Sequence, residues 1–149
     1  MTRICRSIWL QTSIEKVFEY VTTPGNWPAW HPSSLGVNGA TNHSLRPGEQ
    51  VIEEYRVAGR RGRMVWTARE WEAPHWWVID GRMEGGGSGT ITYALTLRIE
   101  GTTFEHDFVY AMPNPLPVML DRLVFCRRIE PESAEALRRL KNVLERRVA

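Results

Sequence analysis

Two ionisable side chains interrupt strand faces that are otherwise apolar. Glu53 falls between Val51 and Tyr55 in one segment of period two, and His106 falls between Phe104 and Phe108 in another. A polar group left unpaired in a dry core costs about 1–3 kcal/mol, so each interruption marks either a satisfied core residue or a site. A histidine titrating near neutrality beside a carboxylate suits general acid/base work on an enolisable ketone or in a dehydration. His106 and Glu53 are therefore the candidate catalytic residues. A register slip of one would move both to solvent, and the sequence does not set the distance between them.

Aromatic residues supply the apolar body such a site needs. Trp30, Tyr55, Trp66, Tyr93 and Tyr110 each join a large ring to a polar edge, and with Glu53 and His106 they form the candidate ligand-binding set; ordinary core packing is the alternative for all five. Trp76 and Trp77 are adjacent, so in a strand only one of them turns inward. His31, between Trp30 and Pro32, reads as part of a structural turn. Sharper motifs fail. Gly85-Gly86-Gly87-Ser88-Gly89 lies between strands with no Lys-Ser/Thr after it, which excludes a phosphate-binding loop, and Thr90 denies Ser88 the second glycine of a nucleophile elbow. His31, His43, His75 and His106 share no paired spacing, so no metal site is read, and no cofactor motif is present.

Periodicity predicts the scaffold for these residues. Arg3 to Leu10 alternates imperfectly around Ile4, Ile8 and Leu10 and leads to Ser13, a natural cap for a helix over Ile14 to Val21 that buries Ile14, Val17, Phe18 and Val21. Asn26 to Pro32 suits one short helical turn, and Ser33 to Ala40 a weak strand. From Glu49 to Met112 the pattern is an antiparallel meander with glycine punctuation. Gly59-Arg60-Arg61-Gly62 ends a strand, the short basic turn Arg60-Arg61-Gly62-Arg63 reads as a solvated hairpin tip, Glu84 to Gly89 as a glycine-rich turn and Glu100-Gly101 as a tight one; Ile91, Tyr93, Leu95, Leu97 and Ile99 alternate on one face. Leu116, Met119, Leu120 and Leu123, then Leu137, Leu140, Leu144 and Val148, recur at helical spacing over Pro115 to Val148. Pro131 predicts that this long helix is kinked or broken, with Pro131 at the first position of a restarted helix and Glu132 and Glu135 in its first turn.

The chain of 149 residues is sized for one domain, 1–149, with a single core. Its formal charge of +2, with arginines scattered over hairpins and a helix face, lacks the basic patch that nucleic-acid binding needs. Cys5 and Cys126 sit in apolar contexts without CxxC pairing, no apolar run is long enough for stable membrane insertion, and the first residues carry no signal-peptide core; a reduced, cytoplasmic protein, monomer or homodimer, is the expectation. Seven tryptophans suit a wide, partly apolar interior.

The order of strand, helix, short helix, about six to seven antiparallel strands and a long C-terminal helix resembles the α+β helix-grip fold of the START/Bet v 1-like (SRPBCC) superfamily, and more narrowly its bacterial polyketide cyclase/dehydrase branch. Ile14 to Val21, Asn26-Trp27-Pro28-Ala29-Trp30-His31-Pro32, Pro47-Gly48, Trp66 to Pro74, Tyr93-Ala94-Leu95 and Gly101-Thr102 carry the resemblance over nearly the whole chain. It implies a curved sheet around the C-terminal helix, with a cavity between them for a small hydrophobic or aromatic molecule such as a lipid, quinone or polyketide-like metabolite. Two further readings stay open: a polyketide cyclase or dehydratase using a cavity His or Glu for proton transfer, and an interaction or toxin-type module of the same fold.

Overall fold

The computed structural model describes residues 2–57, 60–111 and 130–146. Strand β1 (Thr2–Leu10) leads to helix α1 (Ile14–Thr22), whose buried stripe is Ile14, Val17, Phe18 and Val21. Ser13 stands at the cap position, but its side chain makes no capping bond. The other end is closed by hydroxyls turned back onto the helix, Thr22 Oγ1 donating to Phe18 O at 2.7 Å and Thr23 Oγ1 to Glu19 O at 2.6 Å. A single 3₁₀ turn (Pro24–Asn26) then enters the four-residue helix α2 (Trp27–Trp30), whose two tryptophans are both buried.

Six more strands follow: β2 (Ser34–Gly39), β3 (Gln50–Val57), β4 (Arg60–Glu72), β5 (Trp76–Met83), β6 (Ser88–Arg98) and β7 (Gly101–Ala111). All pair antiparallel in one sheet of order β1-β7-β6-β5-β4-β3-β2. Helix α3 (Glu130–Arg146) completes the described residues, and its Ala136, Leu137, Leu140 and Leu144 share one core with Tyr93, Leu95 and Phe104 of the sheet. This is the α+β helix-grip arrangement. Its inner face carries Val51, Glu53 and Tyr55 of β3, Met64 and Trp66 of β4, Trp77, Ile79 and Met83 of β5, Ile91, Tyr93 and Leu95 of β6, and Phe104, His106 and Phe108 of β7, each at a spacing of two. At the far end of α3, Lys141 Nζ donates to Trp9 O at 3.1 Å and Glu145 Oε1 accepts from Gln11 N at 3.2 Å, which ties the helix to the close of β1.

Several expectations change. Arg60 to Gly62 is the start of β4 rather than a turn, because Gly62 pairs with Tyr55 and a side chain there would collide with the Tyr55 ring. The turn after β5 is shorter than Glu84 to Gly89, since Ser88 and Gly89 already belong to β6. Leu97 and Ile99 continue the alternation beyond the reach of the helices and are exposed, Ile99 in the turn that Glu100 closes at a φ of 59°. Cys5 faces outward and is exposed, because even-numbered residues of β1 take the inner side. Of the adjacent pair, Trp77 is fully buried and Trp76 is not. Pro131 lies in the first turn described for α3; Met112 to Ile129, with the upstream apolar stripe and Cys126, and Val148 lie outside the described residues, and the expected kink or break of the helix at Pro131 falls there with them.

Candidate functional site

The inner face divides into two zones. Around Trp77, Phe104, Leu10 and Leu45, each 0% exposed, it is sealed. Trp77 stacks on Tyr93 with centroids 5.0 Å apart and donates from Nε1 to Leu45 O at 2.8 Å, while Trp30 reaches Phe104 edge-on at 6.4 Å and Tyr93 at 6.5 Å. Among the described residues the second zone is open. Glu53, Tyr55, Met83, Ile91 and Phe108 point to the same inner side and remain partly exposed, over a floor that includes Trp66 and Met64. Gly81 makes room for that floor: a Cβ there would stand 2.6 Å from the Trp66 ring and 2.5 Å from Met64 Cε. Trp66 in turn lies 6.3 Å from Phe108 and donates from Nε1 to Glu53 Oε1 at 3.0 Å.

His106 sits on the border between the zones. It faces Tyr93 across the β6–β7 ladder at 5.4 Å between centroids, and Phe108 of the open zone is the next inward residue on its own strand. Its Nδ1 is buried with no hydrogen-bond partner among the described residues. His31, from the end of α2, comes within 6.5 Å of it, centroid to centroid. Burial lowers His31 to about 4, and burial together with the neighbouring His31 lowers His106 to about 3, so both rings are neutral near pH 7. Burial raises Glu53 above the carboxylate range, opposed by Ser34 and Trp66. Ser34 Oγ is near enough to favour the ionised carboxylate although it lacks a partner of good hydrogen-bond geometry. Burial and the Glu53 charge raise the phenols of Tyr93 and Tyr55. The result is a polar seam of neutral imidazoles, a phenol and a hard-to-ionise carboxyl group, set in aromatic walls. Such groups can hold or pass a proton, or orient a polar substituent on an apolar ligand.

The structure thus places Glu53, Tyr55, Trp66, Tyr93, His106 and Tyr110 on one inner face, with Trp30 packed over it from α2. Glu53 is close enough to Tyr93 for its charge to act there, which joins it to the histidines through the Tyr93 ring. Two residues at the seam escape a reading of the sequence. His31, flanked by Trp30 and Pro32, reads from the sequence as part of a structural turn. Arg6 interrupts Ile4 and Ile8 as His106 interrupts Phe104 and Phe108, and it pairs directly with His106 across β1 and β7, partly buried and engaged by a partner of its own. That single interruption in an imperfect strand was the available signal. Among the described residues no three His, Cys, Asp or Glu side chains are grouped to hold a metal ion, and no helix is long and apolar enough to cross a membrane.

A separate groove of about 520 Å³ lies on the opposite side of the sheet, where Thr67, Asp80, Arg82, Ser88 and Thr90 face outward. Its carboxylate is already engaged, by Arg69 Nε at 2.7 Å and Thr90 Oγ1 at 2.8 Å. The inner face and the end of α2, not this groove, carry His31, Glu53, Tyr93 and His106, the buried groups whose titration is shifted.

The family described as "Polyketide cyclase / dehydrase and lipid transport" matches residues 1–145. Two uncharacterized proteins of Mycobacterium tuberculosis are 25% identical over 91 residues, 61% of this chain, and the chain spans about half their length, 54%. A protein of Rhodobacter sphaeroides superposes with a TM-score of 0.73 at 19% identity, covering 97% of this chain and 92% of that one. A START superfamily protein from Mycobacterium smegmatis superposes at 0.69 and 13% identity, covering 97% of each chain. Ara h 8.0201 superposes at 0.65 and 9% identity, covering 96% and 97%. At these identities the structural likeness speaks to the fold.

Proposed function

Because the chain belongs to the polyketide cyclase/dehydrase and lipid transport family, we propose that it binds a small, largely apolar aromatic molecule against the open zone of its inner face. One observation carries this reading: Tyr55, Met83, Ile91 and Phe108 point inward yet stay partly exposed, beside an unpartnered buried nitrogen of His106. An inward aromatic wall left open is surface that a ligand would remove from water, at roughly 25 cal/mol per Å². The neutral dye Nile red should bind with enhanced fluorescence. Phe108→Asp is expected to weaken it about tenfold or more, by putting a charge on that wall, while Val65→Asp in the outer groove leaves it unchanged. Equal affinity in wild type and Phe108→Asp would reject the site.

The catalytic alternative uses the same seam. The favouring observation is that burial opposes ionisation of Glu53, which suits it to give a proton, while burial keeps His106 neutral and leaves it to accept a hydrogen bond rather than the proton. Turnover of an enolisable aryl ketone that Glu53→Gln abolishes, with Nile red binding retained, distinguishes a cyclase or dehydratase from a carrier.

A further inference from the structure

His31 has no part in the reading so far beyond its effect on His106, yet its surroundings define one of its nitrogens closely. Its Nδ1 is 2.7 Å from Ser33 Oγ. Ser33 is buried, its backbone oxygen accepts from Arg56 N at 2.8 Å, and its hydroxyl has no other partner among the described residues. A buried hydroxyl must place its proton, and here the imidazole is the acceptor. We therefore assign Ser33 as donor to Nδ1, which leaves the His31 proton on Nε2 as a donor without a partner among the described residues. His106 offers the complement, a buried Nδ1 without a partner.

We propose that His31 and His106 together clamp one hydroxyl group of the ligand, His31 Nε2 donating to its oxygen and His106 Nδ1 accepting its proton. The inference rests on the reading of the inner face as a ligand site. The spacing suits it. An oxygen about 2.8 Å from a nitrogen of each ring stands about 3.9 Å from each centroid, and the 6.5 Å between centroids then subtends about 110° at that oxygen, the angle a hydroxyl favours. Among the oxygen groups an aromatic ligand carries, a hydroxyl or enol both accepts and donates at a single atom, whereas an ether or ketone oxygen only accepts. An ether oxygen accepts from His31 and leaves His106 unpaired; a hydrocarbon leaves both unpaired. His31 is thus a specificity-determining residue, and Ser33 a positioning residue that acts through it.

Three probes with the same rings separate these cases: naphthol, its methyl ether and naphthalene, titrated by calorimetry at neutral pH. Naphthol should bind wild-type protein about tenfold more tightly than the ether, since it satisfies a buried acceptor that the ether strands. His31→Phe keeps a ring between Trp30 and His106 but removes both nitrogens, and should cut that advantage to about twofold or less while leaving naphthalene affinity in place. Ser33→Ala, which frees the His31 tautomer, should cut it part of the way. Equal binding of naphthol and ether by the wild type overturns the clamp even where the variants fail to fold, and an undiminished advantage in folded His31→Phe does so too. If naphthalene and the ether bind but naphthol holds no advantage, the ligand site stands and the clamp fails. If none of the three binds, the reading of the inner face fails and the clamp goes with it.

Discussion

Trp77→Ala should cost about 3–5 kcal/mol of unfolding free energy, the range for emptying a fully buried indole position. The ring is 0% exposed, and three contacts disappear together: the stack on Tyr93, the edge contact with Trp27 at 6.3 Å, and the 2.8 Å bond to Leu45 O. The last leaves a buried carbonyl without its donor, which adds to the cavity cost. For a chain of this size a loss of that order lowers the melting temperature by roughly 10 °C or more. Thermal and urea unfolding measure it directly. The functional consequence follows from position, because Trp77 backs Tyr93 and Tyr93 backs His106; a loss below about 1 kcal/mol would mean that the sealed zone does not support the polar seam.

Stability should also fall steeply with acid. In the folded chain His31 titrates at about 4 and His106 at about 3, against about 6.5 in an unfolded chain. Below pH 6.5 the unfolded state therefore takes up protons that the folded state refuses. The contribution of each ring is fully present above that pH and is lost as pH falls toward the folded values. Each pH unit in the window is worth up to about 1.4 kcal/mol per histidine, so the pair should remove about 2–4 kcal/mol between pH 7.5 and pH 5. Glu53 acts in the opposite sense. Its folded value is raised, so its contribution is present at low pH and lost as pH rises through that value, which offsets part of the fall. Among the groups around His106, the charge of His31 at the end of α2 opposes its protonation and that of Asp107 favours it, while Tyr93 of β6 packs on the ring and Arg6 of β1 pairs opposite it. Urea unfolding at the two pH values should show the drop, with about half of it gone in His106→Gln. A flat profile would show that both rings are solvated and the seam is wet.

The parts of this fold legible in the sequence were those where one period ran without interruption. Tyr93 and Leu95 in β6, Phe104 and Phe108 in β7 and Leu137, Leu140 and Leu144 in α3 all lie on the faces their spacing assigned, because alternation and helical repeat report the side a residue takes. They do not report how far a covering element extends, which is why Leu97 and Ile99 continue the alternation of Tyr93 and Leu95 and are nonetheless exposed. Glycine was ambiguous for a related reason. Gly62 looked like turn punctuation, whereas its role is to let the Tyr55 ring lie against the neighbouring strand, a contact that no local pattern encodes. Glu53 and His106 stood out because each breaks a clean apolar face. Arg6 breaks a poor one, and His31 stands in a segment with no period at all, so its approach to His106 is set by tertiary packing of α2 over the sheet.

The inner-face site is tested most directly by nuclear magnetic resonance of isotope-labelled protein titrated with naphthol. Binding in the open zone should shift the Trp66 indole, the Ile91 and Phe108 signals and the ring protons of His31 and His106, while Thr67, Asp80, Arg82, Ser88 and Thr90 of the outer groove stay unmoved. Shifts confined to the outer groove, with the two imidazoles and Phe108 silent at saturation, would contradict it.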